Sequence, residues 1–190
     1  MLGQIAEFLI DTAVAFLVFV LLARFHFQWL RVPFRTQLGG FVIIATDWIV
    51  RPARRIVPPL VGLDLATWMA AWLVQGVGMY VLRSLRGAEL GPAVGSALAG
   101  LAALAFVDLV RYSVYILIFA VIVQAILSWV APYSPAAPVF DALTRAFLRP
   151  FRRLIPPIAN IDLSPLFLLI ALQVLLIPLG HLRLWLGGLF

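Results

Sequence analysis

Four stretches of the chain stay apolar for the length of a membrane-crossing helix. They cover roughly residues 8–22, 65–82, 112–130 and 164–185. A hydrocarbon core of about 30 Å takes about twenty apolar residues in helical form, so each stretch predicts one transmembrane helix. Phe25, Phe27 and Trp29 close the first and Trp129 closes the third, at the level where aromatic rings sit among headgroups. Ser164-Pro165 reads as an N-cap followed by a first helical residue, and Pro178 as a kink in the fourth span. Residues 93–107 are apolar but rich in Ala and Gly. They either extend the third span or form a fifth. As one helix, residues 93–130 would be about 57 Å long, more than the core needs.

The segments inside each pair of spans follow a different pattern, and they repeat. Residues 51–60 read RPARRIVPPL and residues 149–158 read RPFRRLIPPI, 98 positions apart; Asp64-Leu65 matches Asp162-Leu163, Thr46 matches Thr144 and Gln75 matches Gln173 at the same offset. An internal repeat of this kind predicts two related structural units: a membrane hairpin over 1–87, a connector or extension of span three over 88–111, and a second hairpin over 112–190. On a helix, Arg149, Arg152 and Arg153 share one face, with Leu148, Phe151 and Ile155 opposite; Arg51, Arg54 and Arg55 repeat this against Val50, Ala53 and Val57. Each motif therefore predicts a short amphipathic segment lying in the interface. Pro52 and Pro150 suit its first turn, residues 41–50 and 138–148 add another turn or two, and Pro58-Pro59 and Pro156-Pro157 stop it. The predicted fold class is an all-α integral membrane protein with about four transmembrane helices, arranged as two repeated hairpins.

Composition supports this class. The chain is 64% hydrophobic and 12% charged, against roughly 45–50% and 25% for ordinary soluble domains. The net charge of +6 comes entirely from arginine on the basic side, and there is no cysteine, which excludes disulfides and thiol chemistry. No arginine precedes Arg24, so the first apolar stretch is expected to be retained as a span rather than to act as a signal peptide. Ten of the fourteen arginines lie in the two loops inside the repeats. With both loops cytoplasmic the positive-inside rule is met, and both termini fall outside. Inverted repeats with a fifth span would put one arginine loop on the wrong side.

Two readings of the arginine clusters stand. They hold the loops inside and nothing more, or Arg51, Arg54, Arg55, Arg149, Arg152 and Arg153 together form an anion site for lipid phosphate or a partner's carboxylate. Asp64 and Asp162 support the motif, either at that site or by pairing with the arginines to fold the loop. Basic residues between apolar spans suit membrane lipids and a protein partner, with a homo-oligomer open, rather than nucleic acid. Other polar residues are sparse. Gln75, Gln173, Gln124 and Ser128 are expected to bond across helices, with a polar path for an ion or solute as the alternative. Asp108 and Arg111 suit a local pair. His26 and His181 invite a bis-imidazole haem, yet each sits at an interface and the repeat does not match them. No nucleotide, hydrolase or zinc-protease motif occurs, so no catalytic residue, metal ligand or cofactor is assigned.

Residues 128–166, SWVAPYSPAAPVFDALTRAFLRPFRRLIPPIANIDLSPL, together with the duplicated RPxRRxxPP, resemble the YggT (YlmG) family of bacterial and plastid membrane proteins. The resemblance covers nearly the whole chain. The first copy departs from it, with Ala66-Thr67 where Ser164-Pro165 stands in the second and Leu63 in place of Ile161. The resemblance implies a multi-pass protein of the bacterial inner membrane, linked to division-related organisation or osmotic stress, and in plastids to haem attachment. The expected function is a non-enzymatic assembly or organising factor, with a small channel or transporter as the alternative.

Overall fold

A computed structural model describes residues 2–58, 64–87, 94–155 and 162–188. Its elements run α1 (Leu2–Trp29), α2 (Gln37–Ile56), α3 (Leu65–Leu85), α4 (Val94–Val130), α5 (Ala137–Leu154) and α6 (Ser164–Gly187). The order long–amphipathic–long thus occurs twice. Four helices, α1, α3, α4 and α6, are long and apolar enough to cross a membrane. The first is longer than the sequence pattern indicated, because the flanks 2–7 and 23–29 continue the helix.

Spans α1 and α3 are antiparallel: Arg86 at the end of α3 meets Glu7 near the start of α1, and Gln28 at the end of α1 meets Asp64 at the start of α3. A stripe of small residues, Ala66, Ala70, Ala71 and Gly78, is buried along α3. It lets the two backbones approach closely, which is how spans associate when no hydrophobic difference drives them together. A Cβ built at Gly78 would lie 2.5 Å from Val14 Cγ1. Gly78→Val is accordingly expected to destabilise the protein by about 1–3 kcal/mol, and Val14→Ala in the same chain to restore part of that. Thermal unfolding in detergent compares the three variants; equal melting temperatures would mean the helices are not in contact there.

Helix α4 is unbroken over 37 residues, about 55 Å. Among the described residues, 94–107 extend this span and do not cross separately. The N-terminal half of α4 packs on α3, with Trp68 edge-on to Phe106 and Trp72 Nε1 donating to the Ala102 carbonyl at 2.9 Å. Its C-terminal half packs on α6 through Val114, Leu117, Val121, Leu168 and Leu172. Pro178 lies inside α6 without ending it.

Helices α2 and α5 lie at one end of the bundle, where α1 and α4 finish and α3 and α6 begin. They are helices of 20 and 18 residues, starting at Gln37 and Ala137, a little before the stretches expected to extend the motifs. Pro52 and Pro150 sit inside them rather than in their first turns. Both prolines are exposed, as are Trp48 and Ala146, whose carbonyls lose their helical partner. The unmet acceptors therefore face outward, where water or headgroups reach them. The opposite face is apolar and buried: Val42, Thr46 and Val50 in α2; Val139, Leu143, Thr144 and Leu148 in α5. Thr36 starts α2 by accepting from the Gly39 N–H at 3.1 Å, and Ile56 ends it one residue before Val57 and Pro58. Pro59, Pro156 and Pro157, expected to stop these helices, lie outside the described residues.

Candidate functional site: a basic face and a charged cleft

The arginines at the α2/α5 end fall into two groups. Some lock the structure. Arg24, buried in α1, donates from Nη1 to Thr46 Oγ1 and to Asp47 Oδ1, each at 2.8 Å, and Arg51 Nη2 reaches Asp47 Oδ2 at 2.7 Å. Arg54 Nη2 donates to Asp64 Oδ2 at 2.6 Å. Asp64 also caps α3, accepting from the Thr67 N–H and hydroxyl. With its amide turned to satisfy both neighbours, Gln28 donates to Asp64 at 2.6 Å and accepts from Arg54 at 2.9 Å.

The second half repeats the ion pair but not its burial. Arg152 Nε donates to Asp162 Oδ2 at 2.8 Å, with both side chains about 40% exposed, whereas Asp64 is 3% exposed. Asp162 accepts from the Ser164 N–H at 2.9 Å. Ser164 is the first residue of α6, one place further in than an N-cap, and Asp162 serves its N–H instead.

Of the six arginines expected at an anion site, Arg51, Arg54 and Arg152 are thus committed to carboxylates. Arg55, Arg149 and Arg153 are exposed and have no acidic partner among the described residues. The two clusters are not brought together by packing of α2 on α5. These helices share an apolar cluster through Val42, Val139 and Leu143, all nearer their N-terminal ends, while the arginine ends pack toward α3 and α6 respectively.

The carboxylates of these pairs hold their protons weakly. The Arg24 guanidinium lowers Asp47 below the ordinary range. Burial pushes Asp64 up, but Arg54 and Thr67 outweigh it and the net shift is downward; Asp162 follows the same logic with Ser164 and Arg152. A carboxylate depressed in the folded state adds stability that is complete above its unfolded pKa and disappears as pH falls through the folded value. The melting temperature in detergent is therefore expected to be flat from pH 7 to about 5 and to drop below about 4. With Asp64→Asn the acid drop should shrink; an unchanged drop would assign the pH dependence elsewhere.

Two clefts have charged walls, one at each end of the bundle. One, of about 780 Å3, lies between α5 and the connection that leaves α1, lined by Trp29, Arg31, Arg145, Phe147 and Arg149. The turn that forms it is a Schellman motif, with the Val32 N–H on the Phe27 carbonyl at 2.8 Å and the Arg31 N–H on the Gln28 carbonyl at 3.2 Å. The position normally held by glycine is Arg31, at φ +55°, a conformation that costs a side-chain-bearing residue about 1–2 kcal/mol. The second cleft, of about 610 Å3, opens between α1, α3, α4 and α6 toward the other end of the bundle. At its wall is Asp108, 3% exposed. Arg183 Nε donates to Asp108 Oδ1 at 2.7 Å, Gln75 Nε2 to Oδ2 at 3.2 Å, and Arg111 lies 3.5 Å away. The local Asp108–Arg111 pair is therefore secondary to one formed with α6, 75 residues away. Asp11, Arg83 and Arg86 line the same cleft.

The other polar residues do not converge. Gln75 bonds across to α4 as expected, Gln173 is on an exposed face of α6, Gln124 is half-buried on α4, and the exposed Ser128 donates to its own helix at the Ala125 carbonyl. His26 is buried at the α2/α5 end with Nδ1 on the Leu22 carbonyl. His181 lies near the opposite end of α6, exposed, with Nδ1 on the Ile177 carbonyl. The two rings are at different ends of the bundle and cannot flank one haem within a chain.

The family described as CCB3/YggT matches residues 3–85 and 103–183. The chain belongs to the CCB3/YggT family. Relatives in that family extend the match across most of the sequence. An uncharacterised protein of Pseudomonas aeruginosa is 33% identical over 92% of this chain and 87% of its own length. A Vibrio alginolyticus protein encoded beside proC is 34% identical over 88% of this chain and 89% of its own length. The uncharacterised YggT of Escherichia coli K12 is 33% identical over 88% of this chain and 85% of its own length. No solved structure matches. The residues missed by sequence reasoning in this CCB3/YggT chain are Arg31, Gln28 and Arg183. The last carried a usable signal, because an arginine set in an apolar span calls for an acid, and Asp108 is the acid set deepest in another.

Proposed function

We propose that this chain is a non-enzymatic assembly or organising factor of the bacterial inner membrane, which presents an arginine surface to anionic lipids or to an acidic protein partner. The observation that carries the reading is the set of exposed arginines on two amphipathic helices at the same end of the bundle, with Arg55, Arg149 and Arg153 unmatched by acids among the described residues. Nearby carboxylates favour a binding role over catalysis: Asp47, Asp64, Asp141 and Asp162 each accept from an arginine, so none is poised as a base. The matched sequences and matched element order further support descent of the two halves from a duplicated unit. The test compares the lipids and crosslinked proteins that co-purify with the native chain and with Arg55→Gln/Arg153→Gln. Enrichment of anionic lipid, or capture of a specific partner, is expected for the native chain and should fall several-fold in the variant. Equal recovery would reduce these arginines to topological markers.

The same reading puts the basic end in the cytoplasm. A reporter active only outside the cytoplasm, fused after Phe190, is expected to be active; activity of a cytoplasmic reporter at that site instead would reverse the orientation. A channel or transporter is the second reading, favoured by the cleft beside Asp108. Its carboxylate is already occupied by Arg183 and Gln75, so liposomes holding the protein are expected to show no potassium or proton flux above empty ones. Flux abolished by Gln75→Leu in inserted protein would place conduction first.

A further inference from the structure

We propose that the cleft between α5 and the end of α1 binds one phosphate-bearing lipid headgroup, a discrete site within the basic surface on which the functional reading rests. Three arginines from two separate parts of the chain line it: Arg31 from the turn after α1, and Arg145 and Arg149 from α5. The latter two are i and i+4 and share a helical face. Arg145 is held by Asp141, which orients its guanidinium and leaves other N–H donors for a ligand. Arg31 and Arg149 have no acidic partner among the described residues. Three positive charges against one carboxylate leave a net charge of two to be met by an anion. Guanidinium groups meet phosphate with paired N–H donors.

Two further observations point to a ligand. Arg31 occupies the left-handed position of a helix-ending turn, where glycine is preferred. A side chain kept there against the backbone's preference is a candidate for a role of its own. The positions related to these three arginines by the repeat also lack the cleft chemistry. At the positions matching Arg145 and Arg149 stand Asp47 and Arg51, and Asp47 pairs with both Arg24 and Arg51. The matching position for Arg31 is Trp129. The anion site therefore has no counterpart at the positions related by the repeat.

A lipid fits better than free phosphate because the cleft is mixed in character. Trp29 and Phe147 meet edge-on, with ring centroids 6.1 Å apart, and Leu30 adds apolar surface. This surface suits a glycerol backbone and the first carbons of an acyl chain, with the arginines at headgroup level.

The full chain in neutral detergent is titrated with phosphatidylglycerol, phosphatidylcholine and inorganic phosphate, and read by native mass spectrometry and melting temperature. The native protein is expected to retain one phosphatidylglycerol saturably, well above phosphatidylcholine. Arg31→Gly should weaken that binding by roughly tenfold or more, while the lipid-free melting temperature stays level or rises because the turn is relieved. Arg149→Gln should weaken it similarly, and Arg86→Gln, at the opposite end of the bundle, should leave it unchanged. Native-like retention by both Arg31→Gly and Arg149→Gln would overturn the site. So would loss of retention in Arg55→Gln/Arg153→Gln alone, while still leaving the broader basic surface in force. Saturation by inorganic phosphate at equal or tighter affinity than the lipid would overturn the lipid assignment.

Discussion

Asp64→Ala is expected to lower stability by about 2–3 kcal/mol, and Asp162→Ala by less than about 1 kcal/mol, although the two residues occupy matched places in the repeat. Asp64 caps α3, and loss of a cap alone costs about 1 kcal/mol. Its removal also strands the buried Thr67 hydroxyl and the partly buried Arg54, whose remaining partner would be Gln28. Donors left without acceptors add roughly 1–3 kcal/mol, reduced here because Arg54 retains about a third of its side-chain exposure and can turn toward water. Asp162 and Arg152 are both solvated, and such pairs contribute about 0–1 kcal/mol. Unfolding in detergent by heat or by sodium dodecyl sulfate separates the cases, and an Arg54→Ala/Asp64→Ala cycle should show coupling. Equal losses at the two aspartates would mean that burial does not distinguish the halves.

The largest single loss is expected at Asp108. This carboxylate is buried between spans and accepts from α3 and α6 at once. Breaking a buried pair by deleting one partner costs about 3–5 kcal/mol; Arg183 is partly exposed, so the lower end applies, about 3 kcal/mol. Asp108→Ala should therefore detach α6 before the rest of the bundle melts. Asp108→Leu with Arg183→Met should recover most of the loss, since an apolar pair avoids the desolvation that the ions incur. If the double variant is as unstable as Asp108→Ala, the carboxylate supports the fold by some route other than Arg183.

The four spans were readable because lipid imposes one rule on any segment that crosses it: apolar side chains outside and backbone hydrogen bonds closed within. The buried faces of α2 and α5 were readable for a related reason, and Val50 and Leu148 are fully buried as the pattern indicates. What escaped the sequence was set by tertiary contact. Pro52 and Pro150 read as helix starts because local chemistry favours that position, yet packing of the apolar face carries each helix through them. The arginine clusters looked equivalent because they match letter for letter. Gln28 and Thr67, which turn one Asp–Arg pair into a buried lock, have Ile126 and Pro165 at the matching places, and the other pair stays open. Arg31 was counted only as loop charge, because nothing local to it reports the positive φ.

The described ion pairs have one further property. Each joins two residues within 2–87 or two within 94–188, and none links one range to the other. The seam between the ranges is apolar packing, with hydrogen bonds that include Gln75 to Asp108 and Trp72 to Ala102. Chains are made from the N-terminus, and units that satisfy themselves can settle first. While the ribosome is still extending the second half, α1, α2 and α3 already hold both partners of each of their described ion pairs. Later helices then have only to dock, which spares the bilayer an early intermediate with stranded arginines.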